Sequence, residues 1–127
     1  MSRGPIPKKA IDAALAAARA RGLVSLCHRG RECVCDIVIH APGLTIDAMI
    51  RRCRRLHGSL AEIEHQFWES LARLRLMPDD PCRSRELWAC SPFGVLRFFR
   101  VTNTGLMELD SSGQPLTTGT TAGGGSA

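Results

Sequence analysis

Residues 32–40 read Glu-Cys-Val-Cys-Asp-Ile-Val-Ile-His (ECVCDIVIH), and this stretch decides the fold. On an extended chain, side chains alternate between two faces. Cys33, Cys35, Ile37 and Ile39 then fall on one face, and Val34, Val38 and part of His40 on the other. A strand apolar on both faces belongs in the middle of a sheet covered from both sides. Asp36 interrupts that pattern. A carboxylate in such a place must be paired, hydrogen-bonded, protonated or bound to a metal, because an isolated buried charge costs several kcal/mol.

Working outward, Ala41-Pro42-Gly43 turns the chain into Leu44–Arg54, a second strand by the alternation of Leu44, Ile46, Ala48 and Ile50. Upstream, Pro7–Arg21 is an Ala-rich helix with Ile11, Ala14, Leu15 and Ala18 on one stripe, and Gly22 is expected as its left-handed stop. Leu23–Cys27 is a short strand, and Arg29-Gly30-Arg31 a turn. Downstream, Ser59-Leu60-Ala61-Glu62 is a capping box that opens a helix over 59–76, with Leu60, Ile63, Phe67, Leu71 and Leu74 at helical spacing. Met77-Pro78 ends it. Arg85–Cys90 and Val95–Thr102 flank Ser91-Pro92-Phe93-Gly94 as a hairpin, and Leu106–Leu109 is a last strand. The order predicts an α/β fold of three layers, a mixed central sheet with helices on its faces. Residues 1–110 form a single domain, and 111–127 (SSGQPLTTGTTAGGGSA) are expected to be a disordered low-complexity tail.

The chain has 127 residues, enough for one hydrophobic core. No apolar run reaches the ~18–20 residues of a membrane span, and the basic, Ala-rich N-terminus lacks a cleavage site. A cytoplasmic protein with no membrane partner is expected. Residues 1–57 carry 11 basic and 4 acidic side chains, a net of +7; residues 58–110 carry 6 and 8, a net of −2. That asymmetry points to a basic face for a polyanion, with a solvated surface as the plain alternative. Six cysteines (27, 33, 35, 53, 82 and 90) stand at spacings that suit buried thiols better than a zinc knuckle.

Candidate chemistry gathers around Asp36. On the following strand Thr45, Asp47, Met49 and Arg51 share one face, so antiparallel pairing can bring Asp36 to Asp47 or to Arg51. Two carboxylates one strand apart can hold a divalent cation. Arg51, Arg52, Arg54 and Arg55 follow within five residues, and arginine suits phosphate through its bidentate fork. The competing use of these arginines is neutralisation of Glu62, Glu64 and other acids on the next helix. Trp88, Phe93, Phe98 and Phe99 read as core before they read as base-stacking platforms. The histidines at 28, 40, 57 and 65 are scattered, and neither a nucleophile elbow nor a Gly-rich phosphate loop is present.

The order helix, strand, Asp-bearing strand, strand, helix, strand resembles the core of the PD-(D/E)xK phosphodiesterases, the superfamily of restriction endonucleases and archaeal Holliday-junction resolvases. The resemblance spans Asp12 to Leu109 and is carried by DIVIHAPGLTIDAMIRRCRR, SLAEIEHQFWESLARLR and RELWACSPFGVLRFFRV. It implies a restriction-endonuclease-like fold and nucleic acid as partner, DNA ahead of RNA, with a homodimer left open. It implies Asp36 as the first acidic residue of the motif. The positions of the second acid and the lysine fall at Met49 and Arg51, so the motif is degenerate. In an active form, Asp36 and Asp47 would bind Mg²⁺ and Arg51 would steady the attacked phosphate, the three acting as the catalytic set of an endonuclease. The leading expectation is a nucleic-acid-binding domain with that site emptied. The alternative is a non-catalytic structural or protein-interaction domain that retains the fold.

Overall fold

The computed structural model describes residues 8–26, 34–53, 56–78 and 80–116, with helix α1 (Lys8–Arg21), strands β1 (Leu23–Leu26), β2 (Ile37–Ala41) and β3 (Leu44–Arg52), helices α2 (Leu60–Gln66) and α3 (Trp68–Arg75), and strands β4 (Arg83–Cys90), β5 (Leu96–Val101) and β6 (Leu106–Leu109). One six-stranded sheet runs β1-β2-β3-β4-β5-β6. Every neighbouring pair is antiparallel except β3 and β4, which run parallel from Thr45 opposite Arg83 to Arg52 opposite Cys90. The helical segment between β3 and β4 is what parallel pairing requires, since parallel strands need a long crossover. The α/β class and the mixed sheet agree with the expectation. No helix of the described residues is long and apolar enough to cross a membrane.

The two faces of the sheet carry separate apolar clusters. Ala14 and Ala18 of α1 pack with Ile37, Ile39, Ile46, Ala48, Ile50 and Trp88. Small side chains at 14 and 18 let the helix approach the sheet closely. On the opposite face Ile63, Phe67, Leu71 and Leu74 of α2 and α3 pack on Met49, Leu87 and Phe99. Leu60 is exposed, and the expected single helix is broken at Phe67, whose backbone (φ −112°, ψ 30°) leaves the helical range. The capping box holds: Ser59 Oγ accepts from Glu62 N at 3.2 Å, and Glu62 Oε1 accepts from Ser59 N at 2.7 Å.

Three details differ from the sequence reading. The strand expected over 32–40 begins at Ile37, with 32 and 33 outside the described residues, and the chain bends at Asp36. The strands buried along most of their length are β3 and β4 instead, as the parallel members of a sheet covered on both faces must be. Gly22 is not left-handed; a Cβ there would lie 2.5 Å from the His40 carbonyl oxygen, so its lack of a side chain serves the close approach of the α1–β1 turn to β2. Finally, order extends past Ser111 to Leu116, while 117–127 lie outside the described residues. Asp110 Oδ1 accepts from Ser112 Oγ at 2.6 Å and from the amides of Ser112 and Gln114, and Leu116 N donates to Glu108 O.

That terminal turn closes over a buried ion pair. Arg21 Nη1 donates to both Glu86 oxygens at 2.8 and 3.0 Å, with the two side chains 3% and 1% exposed. The guanidinium lies 5.0 Å from the Trp88 ring centroid and 5.2 Å from that of Phe98. Trp88 Nε1 donates to Glu86 Oε1, and Arg21 Nε donates to the Ser111 carbonyl. Gly113, at φ +93°, passes over Arg21 where a Cβ would stand 3.2 Å from Nη1. Breaking one side of a buried pair strands the other, at about 3–5 kcal/mol. Arg21→Met is therefore expected to destabilise by that amount in urea unfolding. Adding Glu86→Gln, which neutralises the stranded carboxylate and keeps an acceptor for Trp88, is expected to recover most of it.

The Ser112 hydroxyl, reinforced by the Gln114 amide, holds the Asp110 carboxyl below its ordinary value. A depressed folded-state pKa gives stability that is complete above the unfolded value and lost as pH falls through the folded one. The 110–116 turn is expected to loosen only on acidification below the ordinary carboxylate range. Amide shifts of Ser112 and Gln114 report this, and Asp110→Asn should remove the acid transition.

Candidate nucleic-acid interface

The bend at Asp36 determines what its carboxylate does. Asp36 N still donates to Ala48 O at 2.9 Å, but the next ladder bond goes to the side chain: Oδ2 accepts from Ile50 N at 2.7 Å. The same oxygen accepts from Arg51 Nη1 at 3.1 Å. The carboxylate is 43% exposed, so it is not the buried charge that an unbroken strand would have made it. Arg51 also donates to Ile50 O at 2.8 Å and, through Nε, to Ser70 Oγ on α3 at 3.2 Å. Of the two partners available to Asp36 from the sequence, the structure brings Arg51.

Asp47 is held elsewhere. Its side chain is 1% exposed, and it accepts a bidentate pair from Arg83, with Nε to Oδ2 at 2.9 Å and Nη2 to Oδ1 at 2.8 Å. Cys35 Sγ lies 3.9 Å from Oδ1. The hydrogen bond and charge of Asp47 raise the Arg83 pKa further above its ordinary value. Mg²⁺ is bound through one or two carboxylates and retained waters. Here both carboxylates that would hold it already face a guanidinium, so this donor set does not fit a divalent cation. Among the described residues no group of three or more His, Cys, Asp or Glu stands close enough to hold a metal ion.

Arg51 and Arg52 close the carboxyl end of β3. Arg52 is exposed, and Arg54 and Arg55 lie outside the described residues. The acids proposed as their structural partners have other engagements, Glu62 in the capping box and Glu64 with Arg75 at 3.2 Å. Arg97 of β5 anchors the residues that precede α2. Arg97 Nη1 donates to the carbonyls of Leu56 and Gly58 at 2.6 and 2.8 Å, while Nε and Nη2 bind Glu108 at 2.9 and 2.8 Å. Its guanidinium lies 5.0 Å from the Phe99 ring centroid. The segment Leu56–Gly58 is thus fixed by Arg97 before the chain enters α2, and Arg51 is held where β3 ends. No local sequence pattern announces this, because the contact joins positions about forty apart.

Beside that segment opens a groove of about 710 Å³, walled by Leu56, His57 and Gln66 on one side and by Pro92, Phe93 and Val95 of the β4–β5 turn on the other. It lies at the carboxyl ends of the two parallel strands, where open α/β sheets bind ligands. Phe93 is 80% exposed, the one hairpin aromatic available to a base. Trp88, Phe98 and Phe99 are core, as read, with Trp88 and Phe98 edge to face at 4.8 Å. Cys35, Cys53 and Cys90 are buried thiols, Cys82 is an exposed one, and burial raises the Cys90 pKa. Cys27, Cys33 and His28 lie outside the described residues. His40 is an exposed histidine 3.1 Å from Ser25 Oγ.

The Asp47–Arg83 pair is unequal, since Arg83 is half exposed and Asp47 is not. Arg83→Met leaves a buried carboxylate without its cation, at about 2–4 kcal/mol once solvent screening of the exposed partner is discounted. Asp47→Asn leaves a guanidinium that can turn to water, at about 1 kcal/mol. Chemical denaturation of the two variants is expected to rank them in that order. No protein-family model matches the chain, and no curated protein or solved structure matches it either.

Proposed function

We propose that this chain is a nucleic-acid-binding domain of restriction-endonuclease-like architecture whose metal site has been replaced by an internal ion pair. The observation that carries the reading is a groove with an exposed Phe93 at the carboxyl end of the parallel strands, the end at which Arg51 and the exposed Arg52 close β3. Arginines at a strand end can supply phosphate contacts, and an exposed aromatic ring supplies a stacking surface for an unpaired base. The order α1, β1, β2, β3, α2–α3, β4 is the element order of the resemblance, and Asp36 stands at the head of its second strand. Against catalysis stand Met49 in place of the second acid and the two arginines that neutralise Asp36 and Asp47. Arg51 cannot release a proton near neutral pH and offers charge alone.

The apolar walls of the groove favour one competing reading, a protein-interaction domain on the same scaffold. The two differ in salt dependence. Duplex and single-stranded DNA titrations at several salt concentrations are expected to show affinity falling steeply with salt, with Arg52→Ala, Arg54→Ala and Arg55→Ala each lowering the slope by about one unit. Asp36→Ala is expected to leave binding unchanged or tighter, since it removes a negative charge beside phosphate. Absence of salt-dependent binding would leave the interaction domain. Mg²⁺- or Mn²⁺-dependent cleavage abolished by Asp36→Ala would establish a working nuclease.

A further inference from the structure

The opposite end of the same two strands carries a second basic site. Where β3 and β4 begin, Asp80, Arg83, Ser84, Arg85 and Arg100 line a cavity of about 290 Å³. Leu44 also lines it, at the other end of the nine-residue strand β3 from Arg52. At ~3.3 Å per residue those ends lie roughly 26 Å apart, so the cavity is separate from the groove beside Phe93.

Most polar groups around the cavity have evident partners. Arg83 is held by Asp47, and Asp80 Oδ1 accepts from Cys82 N. Arg85 donates to the carbonyls of Met77 and Val101 and to Asn103 Oδ1. Two groups are different. Ser84 is 7% exposed, and its buried Oγ has no hydrogen-bond partner; Arg100 Nε is likewise buried and unpartnered. Arg100 stands directly opposite Glu86 in the β4–β5 register, but both Glu86 oxygens are taken by Arg21. Among the described residues Arg100 forms no ion pair. Buried donors are almost always satisfied, and an unsatisfied one in a cavity wall calls for a partner from outside the chain.

We propose that this cavity binds a phosphate group, free or as a small monoester, with Arg100 as its principal cation and Ser84 as a hydroxyl donor, Arg83 and Arg85 being committed to Asp47 and to backbone carbonyls. Guanidinium forks match oxoanions. Ser84 on β4 and Arg100 on β5 stand on one face of the sheet, and two donors from separate strands suit tetrahedral phosphate better than a planar carboxylate, which a single fork satisfies. The volume falls at the lower edge of the ~300–1,000 Å³ typical of small-ligand sites, which sets the monoester's size.

The test is an NMR-monitored titration of the full chain with inorganic phosphate, glycerol phosphate and acetate at constant ionic strength. Saturable shifts at Ser84 and Arg100 are expected with the phosphates and not with acetate. Tighter binding of glycerol phosphate assigns a monoester, and equal binding the free ion. Arg100→Gln is expected to weaken phosphate binding about tenfold or more, the scale of a lost charge-assisted hydrogen bond. Without phosphate it should unfold no more easily than the unsubstituted chain, because it removes a charge that forms no ion pair among the described residues. Ser84→Ala, a substitution the fold tolerates, should weaken binding about threefold. No saturable shift with either phosphate, equal affinity for acetate, or unaltered binding in both variants would overturn the proposal.

Discussion

The parallel pairing of β3 with β4 is the constraint on which the rest of the molecule depends. Eight residue pairs join the two strands, and helices cover both of their faces. Any charge carried by a strand covered in this way must find a counter-charge or hydrogen-bond partners inside the fold. β3 contributes Asp47, and β4 contributes Arg85 and Glu86. Asp47 meets Arg83, Glu86 meets Arg21 from the end of α1, and Arg85 reaches the carbonyls that close α3 and β5. These bonds dock α1 on one face and fix the end of the helical crossover on the other. Apolar contact alone would hold the helices to the sheet with less definition of where they sit.

The same arrangement sorts the arginines. Arg21, Arg75, Arg83 and Arg97 each face a carboxylate from another element of the fold. The surplus of +7 over residues 1–57 is therefore a poor guide to surface potential, because Arg21 from that half is neutralised by Glu86 from the other. What distinguishes the arginines near the two candidate sites is position at the strand ends. There the parallel pair stops, the helical cover thins, and a guanidinium can reach an anion that is not part of the chain.

Much of this was legible in the sequence, and the unread part has a common cause. The capping box at Ser59, the turns at Gly43 and Gly94 and the strand Leu106–Leu109 are local features, set by residues within a few positions of each other. The pairing of Asp36 with Arg51 was one of two outcomes open to strand register. What escaped were contacts between distant elements. β4 does not read as a fully buried strand because RSRELWAC carries two arginines and a glutamate. Gly22 reads as a helix stop although its role is set by the His40 carbonyl. Ser111–Leu116 read as linker although Arg21 ties it down from ninety residues away. Composition and periodicity contain no such information.

Asp36 and Arg51 show how a carboxylate at a strand end is neutralised from within the chain. In the resemblance, a divalent cation neutralises the carboxylates at the head of the second and third strands. Here Arg51, reached through the bend at Asp36, brings a cation that is covalently part of the chain, and Ser70 and the Ile50 carbonyl fix its orientation. A guanidinium so placed neither exchanges with solvent ions nor activates a water by lowering its pKa, as a bound metal does. It still relieves the charge of Asp36, so the strand end tolerates an approaching phosphate without a metal. On the proposed reading the two demands come apart: attraction of a polyanion needs only fixed positive charge, whereas its cleavage needs an exchangeable coordination sphere.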